Sequence, residues 1–212
     1  MSFFQQADGS SESAYESVAF TVEALAADPN DGELYKLAER LGVLLREWES
    51  IQADGRTLRR AVIRASAHAH VADARLDAAI DAFARDVLAL VDGNTAHETY
   101  AKYFPEPHEE IIAMGLDAEL PEVTLIVATL DAGDAPEKLK AHTESLRGGL
   151  KLGNAALADR ADALADLGRH SAREQAWAET ADRSLSSAHK ALARIGAARN
   201  LPLSWADSFI DF

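Results

Sequence analysis

The chain has 212 residues, 48% of them apolar, with 35 acidic and 21 basic side chains and a formal net charge of −14. That negative excess disfavours a nucleic-acid backbone or an anionic membrane as the main partner. With no cysteine, disulfides, thiolate metal sites and cysteine nucleophiles are all excluded.

The first residues, MSFFQQADGSSES, lack a basic stretch followed by an apolar run, so no signal peptide is expected. The most apolar window, 120–130, contains Pro121 and Glu122 and is too short to span a bilayer. The expected location is therefore the cytoplasm.

Ser13 and Glu16 have capping-box spacing, and Tyr15, Val18, Ala19, Val22 and Ala26 line one face of a first helix. The run Asp28-Pro29-Asn30-Asp31-Gly32 ends it. Asn30 with Glu33 is placed to cap a second helix, whose face is Leu34, Leu37, Ala38, Leu41, Leu45 and Trp48. A turn is expected at Ala53-Asp54-Gly55.

The stretch 57–91 then reads as one very long helix. Leu58, Val62, Ala65, Ala69, Ala72, Leu76, Ile80, Phe83, Val87 and Leu90 recur at steps of three and four, with no Gly or Pro between them. Gly93-Asn94 is its natural terminator. At 1.5 Å per residue such a helix is about 52 Å long, against about 43 Å for the diameter of a compact globule of this chain length, so an elongated bundle is expected. The stripe keeps a 3.6-residue period and lacks a strict heptad, which argues against an extended two-chain coiled coil.

The middle, 95–133, reads as a short-helix insert. Thr95 with Glu98 is placed to cap a helix through Tyr100, Tyr103 and Phe104, which Pro105 and Pro107 end. Two more short helices follow, over 108–116 and 121–130. Aromatic and branched residues concentrate here, so the insert is expected to plug the end of the bundle that is thick because the long helix's stripe turns there from Ala to Leu76, Ile80, Phe83 and Val87.

Asp134 and Pro136 are expected to start another long helix, with Leu139, Thr143, Leu146, Leu150, Gly153, Leu157, Ala161 and Leu164 on one face. Gly149 and Gly153, four residues apart, suggest close helix contact. Gly168 is expected to end this helix, and Ser171 with Glu174 to cap a last one carrying Trp177, Ala181, Ser184, Ala188, Leu192 and Ile195. An acidic-aromatic tail, 200–212, closes the chain.

The whole reads as one all-α domain, 1–212: an elongated, mostly antiparallel up-down bundle with two or three long helices and the short-helix insert. No strand-like alternation or internal repeat is present, and no stretch resembles a known family closely enough to name one.

Chemical motifs are few. Di-iron and di-manganese bundles use Glu-x-x-His, and none of the seven histidines has a carboxylate three residues before it. His-Glu-x-x-His, Gly-x-Ser-x-Gly, Gly-Lys-Ser/Thr and Gly-x-Gly-x-x-Gly are absent as well. His70 with Asp73 and His170 with Glu174 fall on arcs that face solvent, and His68 and His142 at the edges of apolar stripes. No metal ligands, catalytic residues or cofactor are assigned.

Three groups remain as candidate sites. His97 and His108, with Tyr100 and Tyr103, bring titratable groups together beside the aromatic insert and suggest a polar pocket. Arg56, Arg59 and Arg60 crowd the expected start of the long helix, where they oppose the helix dipole; a neighbouring acidic helix carrying Glu47 and Glu49 would offset them, and so would an anion or an acidic partner surface. Asp73, Asp77 and Asp81 follow one face further on. Trp205, Phe209 and Phe212 recur at helical steps in the tail and suggest a segment that docks in a partner's groove. With Ile63, Val71 and Leu88 giving the central helix a second apolar face, the sequence favours a non-enzymatic interaction or assembly protein, bound to another protein or to itself. The runner-up is a ligand- or metal-binding bundle at the His97/His108 pocket.

Overall fold

The computed structural model describes residues 8–27, 31–132, 134–202 and 204–210. Every regular element among them is a helix: α1 (Asp8–Ala26), α2 (Gly32–Leu90), α3 (Glu98–Tyr103), α4 (His108–Ala113), α5 (Leu116–Asp131), α6 (Glu137–Lys140), α7 (Thr143–Ala198) and α8 (Ser204–Asp207). The chain is thus an all-α helical bundle with two long helices and an insert of short ones. No described helix is long and apolar enough to cross a membrane.

Two expected breaks do not occur. The helices predicted over 34–48 and 57–91 are one helix, α2, which runs through Ala53-Asp54-Gly55. Gly168 likewise lies inside α7. Asp-Gly and Gly are local terminators, but the buried stripe keeps its helical phase on both sides of each, and burial outweighs a propensity cost of about 1 kcal/mol.

Capping also differs from expectation. Asp31 caps α2, its carboxylate accepting from the backbone N–H of Glu33 and Leu34. Asn30 lies outside the described residues. His97, rather than Thr95, caps α3 by accepting the Thr99 N–H on Nδ1 at 3.1 Å. Pro121 sits within α5, and Asp134 and Pro136 precede only the single turn of α6, not α7.

The contacts divide into two compact units, one of residues 1–59 and 166–212, the other of residues 60–165. In the first unit, Val18 and Leu25 of α1 meet Leu34, Leu41, Trp48 and Ile51 of α2 and Trp177, Ala181 and Leu192 of α7. Trp48 and Trp177 stack with ring centroids 4.5 Å apart, and Trp177 donates its indole N–H to the Leu44 carbonyl at 3.1 Å.

In the second unit, Leu76, Ile80, Phe83 and Val87 of α2 pack on Tyr100, Tyr103 and Phe104 of α3, Val123, Ile126 and Leu130 of α5, and Leu139 and Leu146. The insert is therefore core, as its composition predicts. Gly149 and Gly153 do mark close approach: a methyl on Gly149 would stand 2.6 Å from Leu76 Cδ1, and one on Gly153 2.8 Å from Leu120 Cδ2.

A candidate metal centre of three carboxylates

The stripe of α2 that buries Ala69, Ala72, Leu76 and Ile80 carries Asp73 and Asp77 at its margin, one turn apart and half-buried. Opposite them in the same unit lies α5, whose buried face is Leu116, Glu119, Leu120, Val123, Ile126, Val127 and Leu130. Glu119 is the one carboxylate on that face. Its helix position aims it inward, and it is completely buried, with an exposure of 0%.

One carboxylate oxygen each from Asp73, Asp77 and Glu119 lie within 4.8 Å of one another. Neither Glu119 oxygen has a hydrogen-bond partner among the described residues, and Oδ1 of Asp73 and of Asp77 are likewise buried without one. Burial, and secondarily the charge of Asp77, push the Glu119 carboxyl up to about 8. Burial pushes Asp77 up too. Crowding of this kind is relieved either by a proton, which Glu119 can keep and share with Asp77, or by one cation that takes the proton's place among the three carboxylates. Two oxygens on one Ca2+ can stand up to about 4.8 Å apart and on one Mg2+ about 4.2 Å, so the cluster is compact enough to share an ion after small side-chain adjustments.

Beside the cluster is a cavity of about 530 Å3, whose polar lining includes Ser66, His70, Asp73, Asp117 and Arg160. Asp73 belongs to both the cluster and the cavity wall.

The sites expected from sequence fall elsewhere. Tyr100 and His108 do meet: the phenol oxygen lies 3.1 Å from His108 Nδ1 and accepts the His108 backbone N–H at 3.3 Å, with both residues buried. Tyr103 packs edge-on against Phe83 in the core, and His97 is the exposed cap of α3. Arg56, Arg59 and Arg60 lie mid-helix in α2, so the helix start that was to draw an anion to them is not there. His170 and Glu174, expected to face solvent, are buried, with His170 Nε2 3.2 Å from Glu174 Oε1. His70 is exposed and lines the cavity.

In the tail, Trp205 and Phe209 are half-buried and pack on the core of the first unit, together with the buried Ala206 and Ile210. Phe212 lies outside the described residues. Of the second apolar face, Ile63 and Val71 are exposed, whereas Leu88 packs against the core of its unit.

Comparison with known proteins finds no family model, curated protein or solved structure that matches the chain.

Proposed function

We propose that this protein binds a hard divalent cation of the Mg2+, Mn2+ or Ca2+ class through Asp73, Asp77 and Glu119. The observation that carries this reading is Glu119: a fully buried carboxylate, without a hydrogen-bond donor among the described residues, converging on two others. An all-oxygen ligand set suits hard cations, which take carboxylates and fill their remaining positions with water or ligand oxygens. Bound there, the ion ties α2 to α5.

Titration of the full chain with Mn2+, followed by calorimetry and by the electron paramagnetic resonance signal, tests it. One saturable site, displaced by excess Mg2+ or Ca2+ and abolished in Glu119→Gln, is the expected result. Absence of saturable binding, or unchanged binding in a Glu119→Gln protein that folds by circular dichroism, overturns it.

A second reading, contact with another protein or a second copy of this chain, is supported by a different surface of the 60–165 unit. Val71 and Leu152 are each about half exposed and line one shallow groove with Ala72, Ala155 and Ala156. Light scattering across a wide dilution series, with Val71→Glu and Leu152→Glu for comparison, decides whether that groove supports association. A monomer at every concentration counts against self-association.

A further inference from the structure

We propose that the cation site is the handle for a small phosphate-bearing ligand held in the adjoining cavity. This rests on the cation reading above and adds the class of ligand. Three features of the cavity carry it.

First, Asp73 is shared. One of its oxygens is buried while the residue also forms part of the cavity wall, so Asp73 is the link between the cluster and a ligand in the cavity. Cations of this class are commonly completed by a few carboxylates plus the oxygens of a bound phosphate, instead of by an all-protein cage.

Second, Arg160 of α7 lines the same cavity, partly buried, and pairs with no carboxylate among the described residues. A planar guanidinium matches two phosphate oxygens at once, which a point charge does not. Ser66 and His70, one turn apart on α2, add a hydroxyl and an imidazole to the same wall.

Third, the cavity is bounded by the start of α5, whose N-cap is Gly115 at φ +77°. Glycine offers no capping side chain, so the first N–H groups of α5 are left for an external acceptor. Asp117, the one acidic residue on the wall besides Asp73, is exposed and opposes an anion there, so the cation and Arg160 have to outweigh it. At about 530 Å3 the space takes a phosphomonoester or a nucleotide-sized molecule.

The test uses the full chain and inorganic phosphate as probe. Mn2+ affinity is measured first, then phosphate is titrated with and without saturating Mn2+, in wild type, Arg160→Met and Arg160→Lys. The expected result is phosphate binding at least about tenfold tighter with Mn2+ present. Arg160→Met then loses about tenfold in phosphate affinity while its Mn2+ affinity stays within about twofold, and Arg160→Lys recovers part of the loss. Mn2+ binding with phosphate affinity indifferent to it, or to Arg160, overturns the ligand assignment and leaves the cation reading standing. Failure to bind Mn2+ overturns both.

Discussion

Gly55 of α2 and the His170 ring of α7 are in such close contact that a methyl group on Gly55 would stand 2.5 Å from Nε2. The ring is buried beside Glu174, and a methyl that near would have to displace it. Alanine at position 55 gains about 1 kcal/mol in helix propensity, but overpacking against a buried ring costs about 1–3 kcal/mol. Gly55→Ala is therefore expected to lower the thermal midpoint. Gly148, in α7 with nothing within 4 Å of its added methyl, is the control. Gly148→Ala should raise stability by about 0.5–1 kcal/mol, so the two substitutions move the midpoint in opposite directions.

The carboxylate cluster makes stability pH-dependent in a defined window. In the folded chain Glu119 holds its proton up to about 8, whereas the unfolded chain releases it near the ordinary value of 4.5. Between those limits the folded state binds more protons, so its stability is full below the lower value and declines as pH rises through the upper one. At about 1.4 kcal/mol per pH unit the decline amounts to a few kcal/mol. Urea unfolding at several pH values without divalent cation should show it, and Glu119→Gln should flatten the profile. Saturating Mn2+ should reverse the slope, because the ion takes the proton's place. A wild-type profile indistinguishable from that of Glu119→Gln would mean that the carboxylate is not held in a proton-retaining site.

What the sequence discloses, and what it hides, follows from the range of the forces involved. The stripe Leu76, Ile80, Phe83, Val87 is legible because periodicity reports burial directly. The close approach at Gly149 and Gly153 is legible because two small residues one turn apart have few other reasons to sit in a long helix. Glu119 is not, because a helix predicted to begin at Pro121 leaves it in a connection. Only when α5 is started at Leu116 does Glu119 join the arc of Leu116, Leu120 and Val123, a charge inside an apolar face. His170 and Glu174 are hidden for a different reason. They stand seven and three residues before Trp177, so the helical period alone puts them on the face of Trp177 and Ala181, split at Gly168 or not, and only their polar character speaks for solvent. Gly55 reads as a terminator because its real reason, room for His170, lies more than a hundred residues away.

Arg199 fastens the end of α7 to the start of α2. It pairs with Asp31 and, at 2.8 Å, with Glu33, and Asp31 itself caps α2. The guanidinium holds the Asp31 carboxyl down at about 2. For a depressed carboxylate the sign is opposite to that of Glu119: its contribution is present above the ordinary value near 4 and is lost as pH falls towards 2. Arg199→Ala should leave stability below pH 2 unchanged, reduce it at pH 6, and so flatten the acid limb of the unfolding profile. Equal loss at pH 2 and pH 6 would assign Arg199 a packing role instead of an electrostatic one.

The tail decides between two uses of the same aromatic residues. Trp205 and Phe209 meet at 4.9 Å, edge to face, and Ala206 and Ile210 are buried among the residues of the first unit. Gly196 makes the dock possible, since a methyl there would stand 3.0 Å from the Trp205 ring. His189 adds a polar latch, with Nε2 2.8 Å from the Asp207 carboxylate. A tail that is part of its own core contributes stability in proportion to the apolar surface it covers, and a buried isoleucine cut to alanine costs about 2–5 kcal/mol. Ile210→Ala, and a chain ending at Asn200, should therefore lower the thermal midpoint by several degrees, with the shortened chain also binding a hydrophobic dye. A docking peptide for another protein behaves differently: its removal leaves the midpoint where it was and abolishes only the partner's binding. An unchanged midpoint in both variants would return Trp205 and Phe209 to the role their spacing first suggests.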